Sequence, residues 1–185
     1  GLSGSFFAVR QQLCKYWDIH SPSDFNTALN CVVEGYVAVS APDVLGHYQD
    51  VADPGKEYQR KLRTVIRGLT ALSRHPKVFN IPKYGLFSFQ VFSHKVMRWA
   101  VPWFLLVLFI TSVLLAGTAP IYSLALFLQI LFYGTVVGAH FFPGIRAKGY
   151  IRIPYFFMQV NYAIAHATLQ FLRGRRMTVW SPSQR

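Results

Sequence analysis

Two apolar segments separated by a short turn constrain this chain more than any other feature. Residues 100–116 and 121–142 contain no Lys, Arg, Asp or Glu, and residues 117–120 (GTAP) separate them. A helix needs about 20 apolar residues to cross a hydrocarbon core of about 30 Å. Both segments are close to that length, so the sequence predicts a two-helix transmembrane hairpin.

The charged residues are distributed unevenly along the 185 residues. All seven carboxylates lie between Asp18 and Glu57, whereas the net charge of the chain is +12. Because the cations flank the apolar segments, they favour a membrane surface over a nucleic acid as the partner.

The turn at 117–120 carries no Lys or Arg, so we expect it outside the cell and both ends of the hairpin in the cytoplasm. The acid-free second half argues against a transporter with an intramembrane carboxylate relay.

The first 55 residues have the pattern of an α/β unit. Residues 5–9 are short, apolar and partly aromatic, and residues 36–40 alternate like a strand. Between them, the run SPSD at 21–24 is a helix-start signal, and Gly35 is a helix stop. The sequence therefore predicts strand–helix–strand, a piece of an α/β sheet with too few strands to close a domain.

Further segments predict membrane-associated helices. Residues 56–72 combine an apolar stripe with many cations, and residues 83–98 add aromatic side chains, so both are predicted to lie at the interface. Residues 155–171 leave two alternatives open. Their polar stripe and the arginines that follow favour an amphipathic helix at the interface or against the hairpin, and their apolar content allows a third membrane span.

Five motifs occur in a fixed order. They are residues 4–10 (GSFFAVR), 23–25 (SDF) in a helix that ends with Gly35-Tyr36, 57–63 (EYQRKLR), 93–99 (SHKVMRW) and 180–185 (WSPSQR). Together they resemble the C-terminal half of a bacterial membrane-embedded glycosyltransferase of family 2, the inverting group with cellulose- and hyaluronan-synthase-like enzymes of exopolysaccharide type. The resemblance implies four segments: 1–55, the C-terminal part of a GT-A-like catalytic domain; 56–99, basic interface helices; 100–142, the hairpin; and 143–185, a basic loop, a membrane-associated helix and a tail.

The resemblance also implies an activity. The complete protein would be a hexosyltransferase-type enzyme of the inner (plasma) membrane that transfers sugar from a nucleotide-sugar to a lipid-linked or growing glycan acceptor on the cytoplasmic side. Mg²⁺ or Mn²⁺ is expected in the complete enzyme. The D-x-D motif that would hold it is absent from the 185 residues, so the donor site is expected upstream of Gly1 or in another polypeptide, and this chain alone is expected to be inactive. The alternative is a non-catalytic membrane anchor or assembly subunit of a polysaccharide-synthesis complex.

Asp24 is the predicted catalytic base. An inverting sugar transfer needs a base within hydrogen-bond reach of the acceptor hydroxyl, and the resemblance places Asp24 in the acidic motif, where Ser23 replaces the first of the usual two acids. Alternatively, Asp24 only completes a helix cap with Ser21.

Lys95, Arg98 and Trp99 are the predicted binding residues for the acceptor and the departing diphosphate. Guanidinium and ammonium groups suit phosphate oxygens, and an indole suits a sugar face. Lys95 stands where the resembled Q-x-x-R-W motif has Gln. Alternatively, Arg98 and Trp99 are ordinary interface anchors of a membrane helix.

Other chemistries have little support in the sequence. His75, His94, His140 and His166 have no HxxxH or HxH spacing and no neighbouring acids, so no metal site is predicted. No serine lies in a G-x-S-x-G context, so a hydrolase is not predicted. Cys14 and Cys31 lack CxxC spacing and are predicted to be reduced thiols rather than a disulfide.

Overall fold

The computed structural model describes residues 6–14, 18–45, 54–146 and 148–177, and 77% of these residues are helical. In chain order the α-helices are α1 (Ser23–Val33), α2 (Pro54–Arg74), α3 (Ile81–Tyr84), α4 (Leu86–Val91), α5 (Arg98–Leu115), α6 (Pro120–Phe141), α7 (Pro143–Arg146) and α8 (Gly149–Leu172). Two 3-10 helices (Gln11–Cys14 and Pro76–Phe79) and a π-helix (Phe92–Met97) complete them.

The predicted α/β fragment, the C-terminal part of a GT-A-like domain, is wrong. The described residues contain no strand or sheet, and residues 36–40 are irregular and exposed. Val37 and Val39 alternate as in a strand, but they are 79% and 80% exposed. A strand needs neighbouring strands to satisfy its backbone groups, and the described part of the chain supplies none. Of the predicted strand at 5–9, residues 6–9 form no strand, and residue 5 lies outside the described ranges, as does the motif at 180–185.

The chain divides into two compact units. The first unit consists of residues 1–98 and 166–185, and the second of residues 99–165. In the first, α1 and α2 supply most of the apolar core, where Leu29 and Ile66 are fully buried. The predicted apolar stripe of residues 56–72 is largely part of this core. It packs inside the protein, so the stripe is not available to a bilayer.

Helix α1 ends as the sequence predicts. The N–H of Gly35 donates to the carbonyl of Val32, and the N–H of Tyr36 donates to the carbonyl of Cys31. These two bonds form a Schellman motif. Gly35 has a φ of +81°, which only glycine adopts without strain.

In the second unit, α5 and α6 form the predicted hairpin. Residues Leu86–Leu115, a continuous helical run that includes α5, and Pro120–Phe141 are both long and apolar enough to cross a membrane. Their apolar windows are almost entirely unburied, unlike the core helix of a soluble protein. Gln129 Nε2 donates to Ser112 Oγ over 2.8 Å, a hydrogen bond between the two helices of the kind found in membrane bundles. These features indicate a membrane protein.

Helix α8 carries the polar stripe that the sequence places at 155–171. Among the described residues, it is not one of the helices long and apolar enough to cross a membrane. In the second unit, Tyr155 Oη lies 3.4 Å from Arg146 Nη1, which donates to it. In the first unit, His166 Nδ1 lies 2.7 Å from Tyr58 Oη on α2. Polar residues of the stripe thus have partners within the protein.

Candidate functional site

The start of α1 is built differently from the predicted cap. Pro22 occupies the N-cap position, and it makes no side-chain capping bond. Ser21 is almost fully buried, but its hydroxyl donates to the Asp18 carboxylate instead of to the helix. The Asp18 carboxylate also accepts the N–H of His20 over 3.0 Å. The predicted Ser21 cap is therefore wrong, because the Ser21 hydroxyl donates to Asp18 within the turn at residues 18–21.

Two arginines of α2 hold this turn. Arg67 Nη2 donates to the carbonyl of Ser21 over 2.6 Å, and Arg74 forms an ion pair with Asp18. Burial lowers the pKa of Arg67, the neighbouring Arg63 lowers it further, and the carboxylates of Asp24 and Asp18 oppose both effects. Arg67 thus bonds the last residue of the turn, and Arg74 pairs with the first.

A third contact joins the middle of α1 to the residue after α2. His75 Nε2 lies 2.8 Å from Asn30 Oδ1, which can only accept, so Nε2 carries the proton and donates. Burial lowers the pKa of His75, partly opposed by the Asp18 carboxylate. The imidazole is therefore neutral at pH 7 and serves as a packing contact.

Three of the four predicted site residues, Asp24, Lys95 and Arg98, belong to the first unit. Asp24 lies in the first turn of α1, and the Lys95 ammonium lies 4.7 Å from the centre of the adjacent Phe25 ring, a cation–π distance. Arg98 follows Lys95 by three residues. The tertiary contact therefore brings Lys95 to the neighbour of Asp24, 70 positions earlier in the sequence.

The π-helix contributes to this arrangement. Lys95 lies inside Phe92–Met97, between α4 and α5. A π-turn inserts a residue relative to α-helical spacing, and such turns occur frequently at functional sites. Arg98 follows directly at the first position of α5, with an exposed side chain.

Trp99 differs from the other three residues. It is the first residue of the second unit, and it is half-buried. Its predicted role at the acceptor–diphosphate site stays a prediction.

The sequence did not identify Arg67, Arg74 or Asp18 as residues of the site. The prediction that residues 56–72 lie at the interface implies that their cations contact the membrane surface, and it includes neither Arg74 nor Asp18. The sequence signal for the two arginines was weak. A spacing of seven residues places them on one face of a helix, but it does not indicate which residues they contact. Only the tertiary contacts identify the turn at 18–21 as their target.

Asp18 gives the first unit a predicted pH dependence. Burial opposes its ionisation, but hydrogen bonds from Arg74, Ser21 and the His20 N–H outweigh it and lower the pKa to about 2. An unfolded Asp has a pKa of about 3.9. Because the folded pKa is the lower one, ionised Asp18 stabilises the fold above about pH 4, and this contribution is lost as the pH falls towards about 2.

We therefore expect Asp18→Asn to lower the thermal unfolding midpoint at pH 7 and to match wild type near pH 2. The measurement is thermal unfolding of the purified protein in detergent across this range. Asp43→Asn, at an exposed position, is the control and should follow wild type. A difference between Asp18→Asn and wild type that is constant with pH would contradict the assignment.

A metal centre has no ligand set in the described part of the chain. No group of three or more His, Cys, Asp and Glu side chains there could hold an ion. The Mg²⁺ or Mn²⁺ expected for a complete enzyme remains an expectation. Cys14 and Cys31 are free thiols.

Comparison with known proteins finds no matching family model, no matching curated protein and no matching solved structure. A functional proposal therefore depends on the motifs of the chain and on the geometry at the start of α1.

Proposed function

We propose that this chain is the membrane-embedded portion of an inverting glycosyltransferase that transfers sugar from a nucleotide-sugar to a lipid-linked or growing glycan acceptor. The observation that supports it most is the position of Lys95 beside the first turn of α1, which carries Asp24. The order of the motifs along the chain selects Asp24, Lys95 and Arg98 as one site. Independently of that order, the Lys95 ammonium lies 4.7 Å from the ring of Phe25, the residue after Asp24.

The chemistry of this set suits the reaction. Asp24 would accept the proton of the acceptor hydroxyl as that oxygen attacks the anomeric carbon of the donor sugar. The bond from this carbon to the diphosphate breaks at the same time, and the configuration inverts. Lys95 and Arg98 would stabilise the negative charge on the departing diphosphate.

The location follows from the same proposal. The hairpin of α5 and α6 would cross the inner membrane, with the turn at 117–120 outside and the α1 site on the cytoplasmic side, where nucleotide-sugars are made. The donor-binding half would be contributed by residues outside these 185, since the sequence has no D-x-D motif. The competing function is a non-catalytic anchor of a polysaccharide-synthesis complex, which the absence of that motif also fits.

Sugar transfer by membranes from cells that produce the protein from its natural coding sequence tests the proposal. Labelled nucleotide-sugars are supplied one at a time, and incorporation into lipid-extractable and polymeric products is measured. We expect one donor to be used above the level of membranes that lack the protein. No incorporation from any donor would favour the anchor.

Lys95→Ala should then lower kcat/KM roughly 10- to 100-fold, the effect of removing one charged contact of about 1.5–3 kcal/mol. Lys95→Arg should retain most of the activity because it keeps the charge. Lys77→Ala removes an exposed cation of the same unit and should leave activity unchanged. Equal activity in Lys95→Ala and Lys77→Ala would remove Lys95 from the site.

A further inference from the structure

The two arginines of α2 act on the segment that leads directly into the proposed base. We propose that Arg67 is a positioning residue that fixes the start of α1 and thereby the direction of the Asp24 carboxylate. This inference rests on the proposed function, because it assigns Arg67 a role in the same transfer reaction.

The geometry places Arg67 close to Asp24 along the backbone. Its Nη2 donates to the Ser21 carbonyl over 2.6 Å, and Ser21 precedes Asp24 by three residues. Pro22 lies between them with a φ of −64°, so its ring allows little rotation of the chain there. A displacement of the Ser21 carbonyl is therefore transmitted to the first turn of α1.

Arg74 holds the other end of the same turn. Positions 67 and 74 are seven residues apart, so both side chains leave the same face of α2, about 10.5 Å apart along its axis. Arg74 pairs with Asp18, whose carboxylate accepts from the Ser21 hydroxyl and the His20 N–H. The turn at 18–21 is thus attached to α2 at both ends.

This attachment takes the place of a cap. Pro22 makes no side-chain capping bond at the start of α1, so the helix has no local device that fixes its first turn. The long-range bond from Arg67 supplies that constraint.

The experiment compares Arg67→Ala, Arg67→Lys and Arg173→Ala in the natural protein, purified in detergent. Arg173 is an exposed arginine of the same unit and serves as the matched control. Two quantities are measured: steady-state sugar transfer, and amide hydrogen exchange in peptides that cover residues 18–26 and 86–91. The second peptide covers α4, which belongs to the same unit as Arg67, and it detects unfolding of that unit.

In Arg67→Ala we expect exchange at 18–26 to accelerate about tenfold while exchange at 86–91 is unchanged. We expect kcat to fall roughly 10- to 100-fold with KM within about twofold, because a misplaced base slows chemistry without removing a substrate contact. Arg67→Lys can still donate to the Ser21 carbonyl and should recover part of both losses. Arg173→Ala should match wild type.

The outcomes separate this inference from the proposed function. Unchanged exchange at 18–26 in Arg67→Ala would overturn the positioning role, as would unchanged kcat in an enzyme that Asp24→Asn inactivates. A fall in kcat that Arg67→Lys does not relieve would also overturn it. Full activity of Asp24→Asn, in contrast, would remove the proposed base whatever Arg67 does.

Discussion

Asp24→Asn is expected to lower the rate of sugar transfer by roughly 10²- to 10⁴-fold, the usual contribution of a positioned general base. Asparagine has nearly the same shape as aspartate but cannot accept the proton of the acceptor hydroxyl. The first turn of α1 loses a negative charge near the helix N-terminus, which costs only about 0.3–1 kcal/mol. The measurement is transfer from the accepted nucleotide-sugar by purified protein, with kcat and KM determined separately.

This variant separates the two roles that the sequence allows for Asp24. If the side chain served only the helix start, Asn would preserve turnover, because the lost first-turn charge costs only about 0.3–1 kcal/mol and leaves α1 in place. Asp43→Asn removes an exposed acid of the same unit and should transfer sugar like wild type. Retained turnover in Asp24→Asn, with the thermal midpoint also retained, would exclude Asp24 as the base.

Ile130→Arg should have the largest effect on the second unit. Ile130 lies at the middle of α6 and is 56% exposed. If α6 crosses a bilayer, a charge at the centre of the span costs about 2.5–3.5 kcal/mol of insertion free energy. We expect the variant protein to be lost from the carbonate-resistant membrane fraction, where wild type should be recovered.

The matched control for this variant is Ile19→Arg. Ile19 is 62% exposed and lies outside both helices of spanning length, so its variant should remain in the membrane fraction. The direction of the change caused by Ile130→Arg distinguishes a hairpin in a membrane from a hairpin in water. In water, exchanging an exposed isoleucine for arginine would be neutral or would improve solubility, and such a result would contradict a membrane location for the hairpin.

The helical elements were the most predictable part of the fold. The Gly35 stop, the amphipathic helix after residue 53 and the two long apolar helices follow from local signals, since caps, periodicity and length act within a few residues. The predicted strands were wrong because strand formation does not depend on local signals alone. The alternation of Val37 and Val39 indicates only a propensity for strand structure. A strand forms only where other strands lie beside it.

The candidate site was likewise predictable only in the features that depend on local sequence. The sequence alone selects the candidate residues, Asp24 in a helix start and Lys95 and Arg98 ahead of an apolar helix, because motif spacing is a property of the chain. Only the tertiary structure decided that Lys95 packs on Phe25 beside Asp24 and that Arg67 reaches the Ser21 carbonyl. These contacts join residues 46 to 70 positions apart, and their geometry depends on how α1, α2 and the π-helix pack together, which no local pattern encodes.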